Sequence, residues 1–557
     1  MGRHRWFASY DPEVPHSLKP YTSATLLDVM ADAVRLKPQN TFLLFKGRRI
    51  SCQEIDELSN ALAAALVMGG VNKGDAVALI LPNSPQFILA QIGVWKSGAI
   101  PVPLNLLYTE NELKQALVQS GARVAIILNK LYHTIKLFQA HHTRIRQVIL
   151  TGIEDFAPAH SCFAPALLEN KGGRRIELEG GDIWLKDLLY QFRAAPRPAI
   201  KVTKEDIALL LQSGGIAGIP RGIVITHAAL MAEALQLKAW YGSMSVDWED
   251  VVLVTAPLFH VYGNAAVMAT AILGRNPIAL VPDARDHNDV VNTIKEVRPA
   301  FFPAVPTLIT ALLNHPEAKA AHPCFKSIKC CLSGAGPLLS QTKLQFEVLT
   351  GGKFIEGYGL TETTAAITVN PLHGQYKEGS VGLPLPDVIV KIVDAEKGRR
   401  ELPPGKQGEI IVKCPQMMRG FWNSLEETDE MIRGEWLHTG DIGYMDEQGY
   451  LFITAGKKEV IKISGFQVWP REVAEVIRSH PSVSDVRVTG VPDPVQVQAV
   501  KAWVVPDENQ RCTVEELRSY CRQRLTAYKV PRYIEFVKNL PEPGPEPVLI
   551  GTRDMYE

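Results

Sequence analysis

Residues 354–366 read FIEGYGLTETTAA. Thr361 and Glu362 set a hydroxyl beside a carboxylate, a pair suited to a phosphate oxygen and a hard divalent cation. Ahead of them, Phe354, Ile355 and Glu356 read as the end of a buried strand. Gly357-Tyr358-Gly359 then reads as a turn whose glycines let backbone approach a ligand closely. An ordinary strand and turn has the same composition. A second stretch runs Gln212-Ser213-Gly214-Gly215-Ile216-Ala217-Gly218-Ile219-Pro220-Arg221-Gly222. A glycine-rich loop after a strand, carrying a cation, can wrap its N–H groups around phosphates, although glycine-rich turns are common. A third stretch, PLFHVYG at 257–263, carries His260. A lone histidine after a strand is more often structural than catalytic, but beside Phe259, Tyr262 and Gly263 it suits the mouth of an apolar pocket.

The elements that must position these residues alternate. Between residues 25 and 200, apolar runs at 76–81 and 124–128 read as short buried strands, and 58–68 and 86–97 as helices. This predicts a parallel α/β sheet. Residues 146–188, with their Gly-Gly pairs, read as a less regular surface insertion. Strands are expected at 206–211, 251–256, 300–306 and 328–333, the last running into Ser333-Gly334-Ala335-Gly336-Pro337. A core helix is expected at 265–273. Past residue 380 the strands 388–393 and 409–412 suggest a β-rich subdomain, with a hairpin turn at 446–449. A basic segment at 455–465, a helix at 470–480 opened by proline and a strand at 484–488 suggest a small separate α+β domain. The fold class is therefore α/β: a large N-terminal part of parallel sheets with a β-rich subdomain, followed by a small α+β domain.

At 557 residues the chain is too long for one core. Lys+Arg and Asp+Glu are both 59, so no overall field favours nucleic acid or an anionic membrane. Eight cysteines without a CxxC pair read as reduced, mostly buried thiols of a cytosolic protein. No apolar run is long enough to span a bilayer, and the basic start lacks the apolar core of a secretory signal. With Trp6 at the position that needs Ser or Thr, the start is also a poor myristoylation match. Arg3, Arg5, Trp6 and Phe7 allow at most peripheral membrane contact, and a frayed terminus is the expectation.

Taken together, PLFHVYG at 257–263, SGAGP at 333–337, EGYGLTE at 356–362, HTGD at 438–441 and GFQVWPREV at 465–473 resemble the adenylate-forming superfamily of acyl-CoA synthetases, adenylation domains and luciferases. The likeness is greatest to long-chain fatty acid–CoA ligases and covers the chain from Tyr10 to about Pro541. It implies an adenylate-forming domain at 1–454 and a mobile C-terminal cap domain at 455–557; the cytoplasmic location is the expectation from the cysteines. The implied chemistry has two halves. A carboxylate attacks the α-phosphate of ATP to give an acyl-adenylate, and the CoA thiol then displaces AMP. Fatty acid, ATP and CoA are the implied partners; nucleic acid is not among them. By position, Ser213, Gly214, Gly215, Gly218 and Arg221 would cradle phosphates. Gly334, Ala335 and Gly336 with Glu356, Gly357, Tyr358 and Gly359 would form the adenine slot. Asp441 would take the ribose, Thr361 the α-phosphate and Glu362 Mg²⁺. His260, Tyr262 and Gly263 would line the acyl site, and Ser464, Gly465 and Phe466 the CoA passage.

The sequence also departs from the family pattern. Ile216 and Ala217 replace two phosphate-loop threonines, and Arg221 replaces a lysine. Ala455-Gly456 replaces the Asp-Arg of the hinge, and Pro547 stands where the family has its adenylation lysine. No lysine follows Lys538, and the prolines after Leu540 favour an extended tail. These losses leave two readings open: a ligase with weak adenylation, or a non-catalytic relative that binds nucleotide or acyl groups as a sensor or partner. An altered reading frame at the tail would explain Pro547 but not Ile216 or Ala455.

Overall fold

The computed structural model describes residues 4–141, 143–163, 167, 176–213, 221–334, 340–395, 398–456, 460–463, 466–493, 496–507 and 512–541. The chain divides into two compact units. The larger holds Met1–Leu106, Leu113–Ser213 and Pro220–Lys457; the smaller holds Leu107–Glu112, Gly214–Ile219 and Lys458–Glu557.

Within the larger unit, five parallel strands run in the order Ile100–Pro103, Ala76–Ile80, Val124–Leu128, Gln147–Thr151, Ile183–Trp184. Their apolar runs are buried on both faces, as parallel strands covered by helices require. The helix Pro85–Lys96 covers the sheet and is buried throughout. Ser84 caps it by accepting from the Phe87 N–H, and proline opens its first turn. Lys96 is buried at its end, with Asp56, Ser59 and Asn60 meeting the ammonium at 2.7 Å each. The expected insertion at 146–188 is corrected: Gln147–Thr151 is a buried strand inside this sheet, and Leu185–Gln191 is a helix.

Other sheets of this unit carry the motifs. Cys330–Ser333 pairs in parallel with Lys353–Leu360, which pairs antiparallel with Ala365–Val369. A three-stranded antiparallel sheet orders Gly420–Phe421, Arg221–Thr226 and Ile207–Ser213. The β-rich part orders Ile389–Val393, Gly408–Lys413 and Trp436–Met445, with Leu451–Gly456 closing the expected hairpin at Met445↔Leu451. Residues 300–306 do not form the expected strand. Only Phe301 bridges, to Val252 and Cys330, and Pro306 opens the helix Pro306–Asn314. The expected fraying at the start is also corrected. Trp6 is buried against the hairpin turn, where a Cβ on Gly449 would lie 2.6 Å from Trp6 Cβ, and Phe7 stacks on His16 at 4.2 Å.

The smaller unit has its own sheet, ordered Phe466–Val468, Ile461–Ile463, Val497–Pro506 and Val483–Asp493, with Tyr533–Phe536 parallel to Val497–Pro506. Its core is Ile461, Val473, Ile477, Val486, Val504 and Leu517, supplied by that sheet and the helices Pro470–Arg478 and Val514–Arg522. Thr513 and Glu516 form a reciprocal cap on the second helix. Among the described residues, no helix is long and apolar enough to cross a membrane.

Candidate active site

Gly357-Tyr358-Gly359 is not a turn. It continues the strand Lys353–Leu360 past the end of its parallel neighbour and into antiparallel pairing with Ala365–Val369. The glycines serve close approach between strands: a Cβ on Gly359 would lie 1.5 Å from the Ala365 carbonyl oxygen, and one on Gly357 would lie 3.1 Å from that of Thr368. The turn is Thr361–Thr363, a single 3₁₀ turn that sets Thr361 and Glu362 side by side, both half-buried. Thr363 Oγ1 ties it by accepting the Leu360 N–H at 3.0 Å.

Several predicted residues converge on this strand. Ser333 pairs with Glu356, and a Cβ on Gly334 would sit 3.8 Å from the Gly357 oxygen, so the two halves of the expected adenine slot are adjacent. The Tyr358 hydroxyl donates to Asp441 Oδ2 at 2.7 Å, joining the expected base and ribose residues. The Asp441 N–H is held in turn by Thr439 Oγ1 at 3.0 Å. Gly456, at the expected hinge, pairs with Asp441 as the last residue of its strand. The Tyr262 hydroxyl donates to the Leu332 carbonyl at 2.6 Å, which sets the expected acyl residues against the strand leading to Ser333. The expected core helix begins earlier than 265, as a π-helix at Tyr262–Ala269 followed by Thr270–Leu273. Wide turns of this kind often mark functional sites. A Cβ on Gly263 would meet the Pro257 carbonyl oxygen at 2.3 Å. His260 Nδ1 accepts the Tyr262 N–H at 3.2 Å, and burial lowers the His260 pKa to about 4, leaving a neutral imidazole.

Ser213 and Arg221 face each other across the ladder that brackets the glycine-rich loop. The Arg221 guanidinium forms an ion pair with Glu427 and lies 5.5 Å from the Phe421 ring centre. Met418 N–H donates to the Glu362 carbonyl at 2.8 Å, and the strand that follows, Gly420–Phe421, pairs with Arg221–Thr226. The backbone thus connects the Thr361–Thr363 turn with the strand that Arg221 opens. Phe466 stacks on Tyr528 at 4.4 Å in the smaller unit. Gly214, Gly215, Gly218, Ile216, Ala217, Ala335, Gly336, Ser464, Gly465 and Pro547 lie outside the described residues.

Reading the sequence missed four side chains here. Glu427 belongs to an acidic helix that looks like a solvated face. Glu409 is buried beside His438, with Nδ1 to Oε2 at 3.2 Å. Glu233 and Gln416 hold the N–H and the carbonyl of Ala366, just after the Thr361–Thr363 turn. The one available signal was Glu233 itself, a lone carboxylate in a helix apolar on every side. Among the described residues, no cluster of three or more His, Cys, Asp or Glu could hold a metal alone. A single carboxylate beside a hydroxyl fits Mg²⁺ better, because that ion is commonly held by one or two carboxylates together with substrate phosphates. A cavity of about 370 Å³ lined by Asp11, Val14, Trp240 and Leu372 includes none of these residues.

A large α/β unit with several sheets and a smaller α+β unit form the two-domain AMP-binding architecture. A family model described as AMP-binding enzyme matches residues 30–422, and one described as AMP-binding enzyme C-terminal domain matches 472–544. The chain belongs to this family of adenylate-forming acyl-CoA synthetases. It is 36% identical over 540 residues to a long-chain-fatty-acid–CoA ligase of Bacillus subtilis, covering 96% of this chain and 95% of the relative. It is 30% identical to a feruloyl-CoA synthase of Amycolatopsis, covering 93% and 96%. Among solved structures, ATP-bound MatB from Rhodopseudomonas palustris aligns with a TM-score of 0.65 at 26% identity, covering 93% and 96%. A double mutant of o-succinylbenzoate CoA synthetase from Bacillus subtilis aligns with a TM-score of 0.78 at 24% identity over the same shares, a likeness of fold.

Proposed function

We propose that this chain is a long-chain fatty acid–CoA ligase-type protein whose adenylation half-reaction is weak. The observation that carries the reading is the Tyr358–Asp441 hydrogen bond, which joins the candidate base and ribose residues beside the Thr361–Thr363 turn. The ligases of Bacillus subtilis and Escherichia coli, matched over 96% of this chain, support a fatty acyl substrate. On this reading residues 1–454 would be the adenylate-forming domain and 455–557 the cap.

Tyr358 would face the base, Asp441 would hold the ribose hydroxyls, and Thr361 would donate to the α-phosphate. His260, Tyr262 and Gly263 would border the acyl chain, the neutral imidazole adding no charge to an apolar path. Ser464, Gly465 and Phe466 would border the CoA passage. Glu362 would hold Mg²⁺, which when bound offsets negative charge as carboxylate approaches phosphate. Ile216 and Ala217 supply no hydroxyl donors, and Pro547 supplies no ammonium. Loss of one positioned donor costs on the order of 10²–10³ in rate. Those same losses favour a second reading, a non-catalytic protein that binds nucleotide or acyl groups.

ATP–pyrophosphate exchange across fatty acids of varied length tests the first half-reaction, and thioester formation from synthetic acyl-adenylate and CoA tests the second. Slow exchange with measurable thioester formation is expected. Exchange should rise when Ile216→Thr, Ala217→Thr and Pro547→Lys are combined. Exchange in the wild type as fast as in the Bacillus relative would remove the impairment. No thioester from supplied acyl-adenylate would leave the non-catalytic reading.

A further inference from the structure

Glu233, on the helix His227–Tyr241, is fully buried in the larger unit. Its Oε1 accepts the Ala366 N–H at 2.8 Å, and the carbonyl of the same Ala366 accepts from Gln416 Nε2 at 3.0 Å. The N–H and the carbonyl of one strand residue, Ala366, are therefore both held by side chains, just after the turn that carries Thr361 and Glu362. The other oxygens of the pair, Glu233 Oε2 and Gln416 Oε1, are both buried and have no partner. Orphaned buried acceptors are rare and costly. Turning over the Gln416 amide does not help, because its oxygen would then face the Ala366 carbonyl oxygen. A proton on Glu233 Oε2 turns one of these two buried acceptors into a donor.

The segment so held has reason to need holding. Thr364 and Ala365 have φ of 53° and 99°, a left-handed backbone that side-chain-bearing residues adopt only under constraint. On the far side of the turn, Gly359 packs against the Ala365 carbonyl with no room for a side chain. We infer that Glu233 is a neutral carboxylic acid which, together with Gln416, holds the N–H and carbonyl of Ala366 and so positions the turn carrying Thr361 and Glu362. Burial raises the pKa of this carboxyl well above the usual range. The titratable groups around it, Cys414 and Tyr241, are neutral at pH 7 for the same reason. A neutral acid keeps the grip without placing a second negative charge behind Glu362. The consequence for nucleotide binding rests on the function proposed above.

Glu233→Gln tests the proton, because its amide can accept from Ala366 with one end and carry hydrogens on the other, as the protonated acid does. Infrared spectra of the full chain at neutral pH should show a protonated-carboxyl stretch that Glu233→Gln removes. The double variant Glu233→Gln/Gln416→Glu, which moves the acid across the pair, should restore it. Deuterium uptake by the 360–370 peptide should be unchanged in Glu233→Gln and about tenfold faster in Glu233→Ala, the effect of losing one buried hydrogen bond. Mg·ATP affinity should follow the same order. If Glu233→Ala does not fold, the two amide-exchange variants and the infrared band still decide. Absence of a carboxyl band sensitive to Glu233→Gln overturns the inference, as does uptake in Glu233→Gln as fast as in Glu233→Ala. A wild type that binds no Mg·ATP defeats the nucleotide reading alone, since the band and the uptake do not depend on it.

Discussion

His227 shows what burial does to a single ionisable group in this protein. It is 2% exposed, its Nδ1 has no partner, and its ring meets Trp95 edge-on at 5.5 Å. Burial lowers its pKa from 6.5 to about 4, against a weaker opposing pull from Asp206. The unfolded chain protonates this residue near pH 6.5, while the folded chain resists until about 4. Between those values the unfolded state binds more protons, so stability falls as the pH drops through the window. The loss should approach roughly 3 kcal/mol by pH 4. His260 shifts in the same direction, so a variant is needed to isolate one ring. Urea midpoints from pH 7 to pH 4 should fall less steeply in His227→Gln than in the wild type; parallel curves would assign the acid sensitivity elsewhere. At this scale the sequence was informative where chemistry is unusual on a surface. Thr361-Glu362 and Asp441 could be picked out by type and neighbours. Glu233 was marked only by being the one carboxylate in an apolar helix, a faint signal because a lone glutamate in a helix is ordinarily solvated.

Elements decide which of those side chains meet. The strand Arg221–Thr226 lies between Ile207–Ser213 and Gly420–Phe421, and the last of these leads into the acidic helix Leu425–Met431. Glu427 of that helix consequently takes the guanidinium of Arg221, the cation expected to serve the phosphate loop. A polyphosphate drawing on Arg221 must compete with this carboxylate, whereas AMP, lacking β- and γ-phosphates, need not. For a partly exposed pair worth about 1 kcal/mol, Glu427→Gln should tighten Mg·ATP about fivefold. AMP affinity should not change. Calorimetric titration of both nucleotides measures this, and an unchanged ATP-to-AMP ratio would show that Arg221 does not contact the polyphosphate. Strands at 124–128 and 409–412 and the hairpin at 446–449 were legible because period and turn residues are local signals. The continuation of Lys353–Leu360 through its glycines was not legible, because glycine signals a turn in sequence while strand–strand approach is set by a partner far along the chain. The same limit applied to 300–306, an apolar run next to strands that itself only bridges.

At the scale of the whole molecule, the smaller unit depends on a charge cluster that no local pattern could reveal. Lys529 Nζ lies 2.6 Å from Glu112 Oε1 and 2.6 Å from Glu472 Oε1, with all three side chains nearly buried. Glu112 stands 417 positions from Lys529 in the sequence, yet the segment Leu107–Glu112 belongs to this unit. Thr526 adds its hydroxyl to Glu112. The two carboxyls respond in opposite directions. Lys529, Thr526 and Thr109 hold Glu112 below the usual carboxylate range against the pull of burial, whereas burial and the neighbouring Glu112 raise Glu472. Glu112 is therefore the firm anionic partner, and Glu472 the one that yields. Removing the ammonium leaves two acids facing each other out of water, which typically costs about 3–5 kcal/mol. Lys529→Met should therefore open the smaller unit first, speeding protease cleavage within 458–541 in the full chain while leaving 26–106 protected. Adding Glu472→Gln removes the carboxyl that resists ionisation and should recover part of that protection, whereas adding Glu112→Gln should recover less. Equal cleavage of Lys529→Met and wild type would mean that the unit is held by its apolar core of Val473, Ile477, Val504 and Leu517 alone.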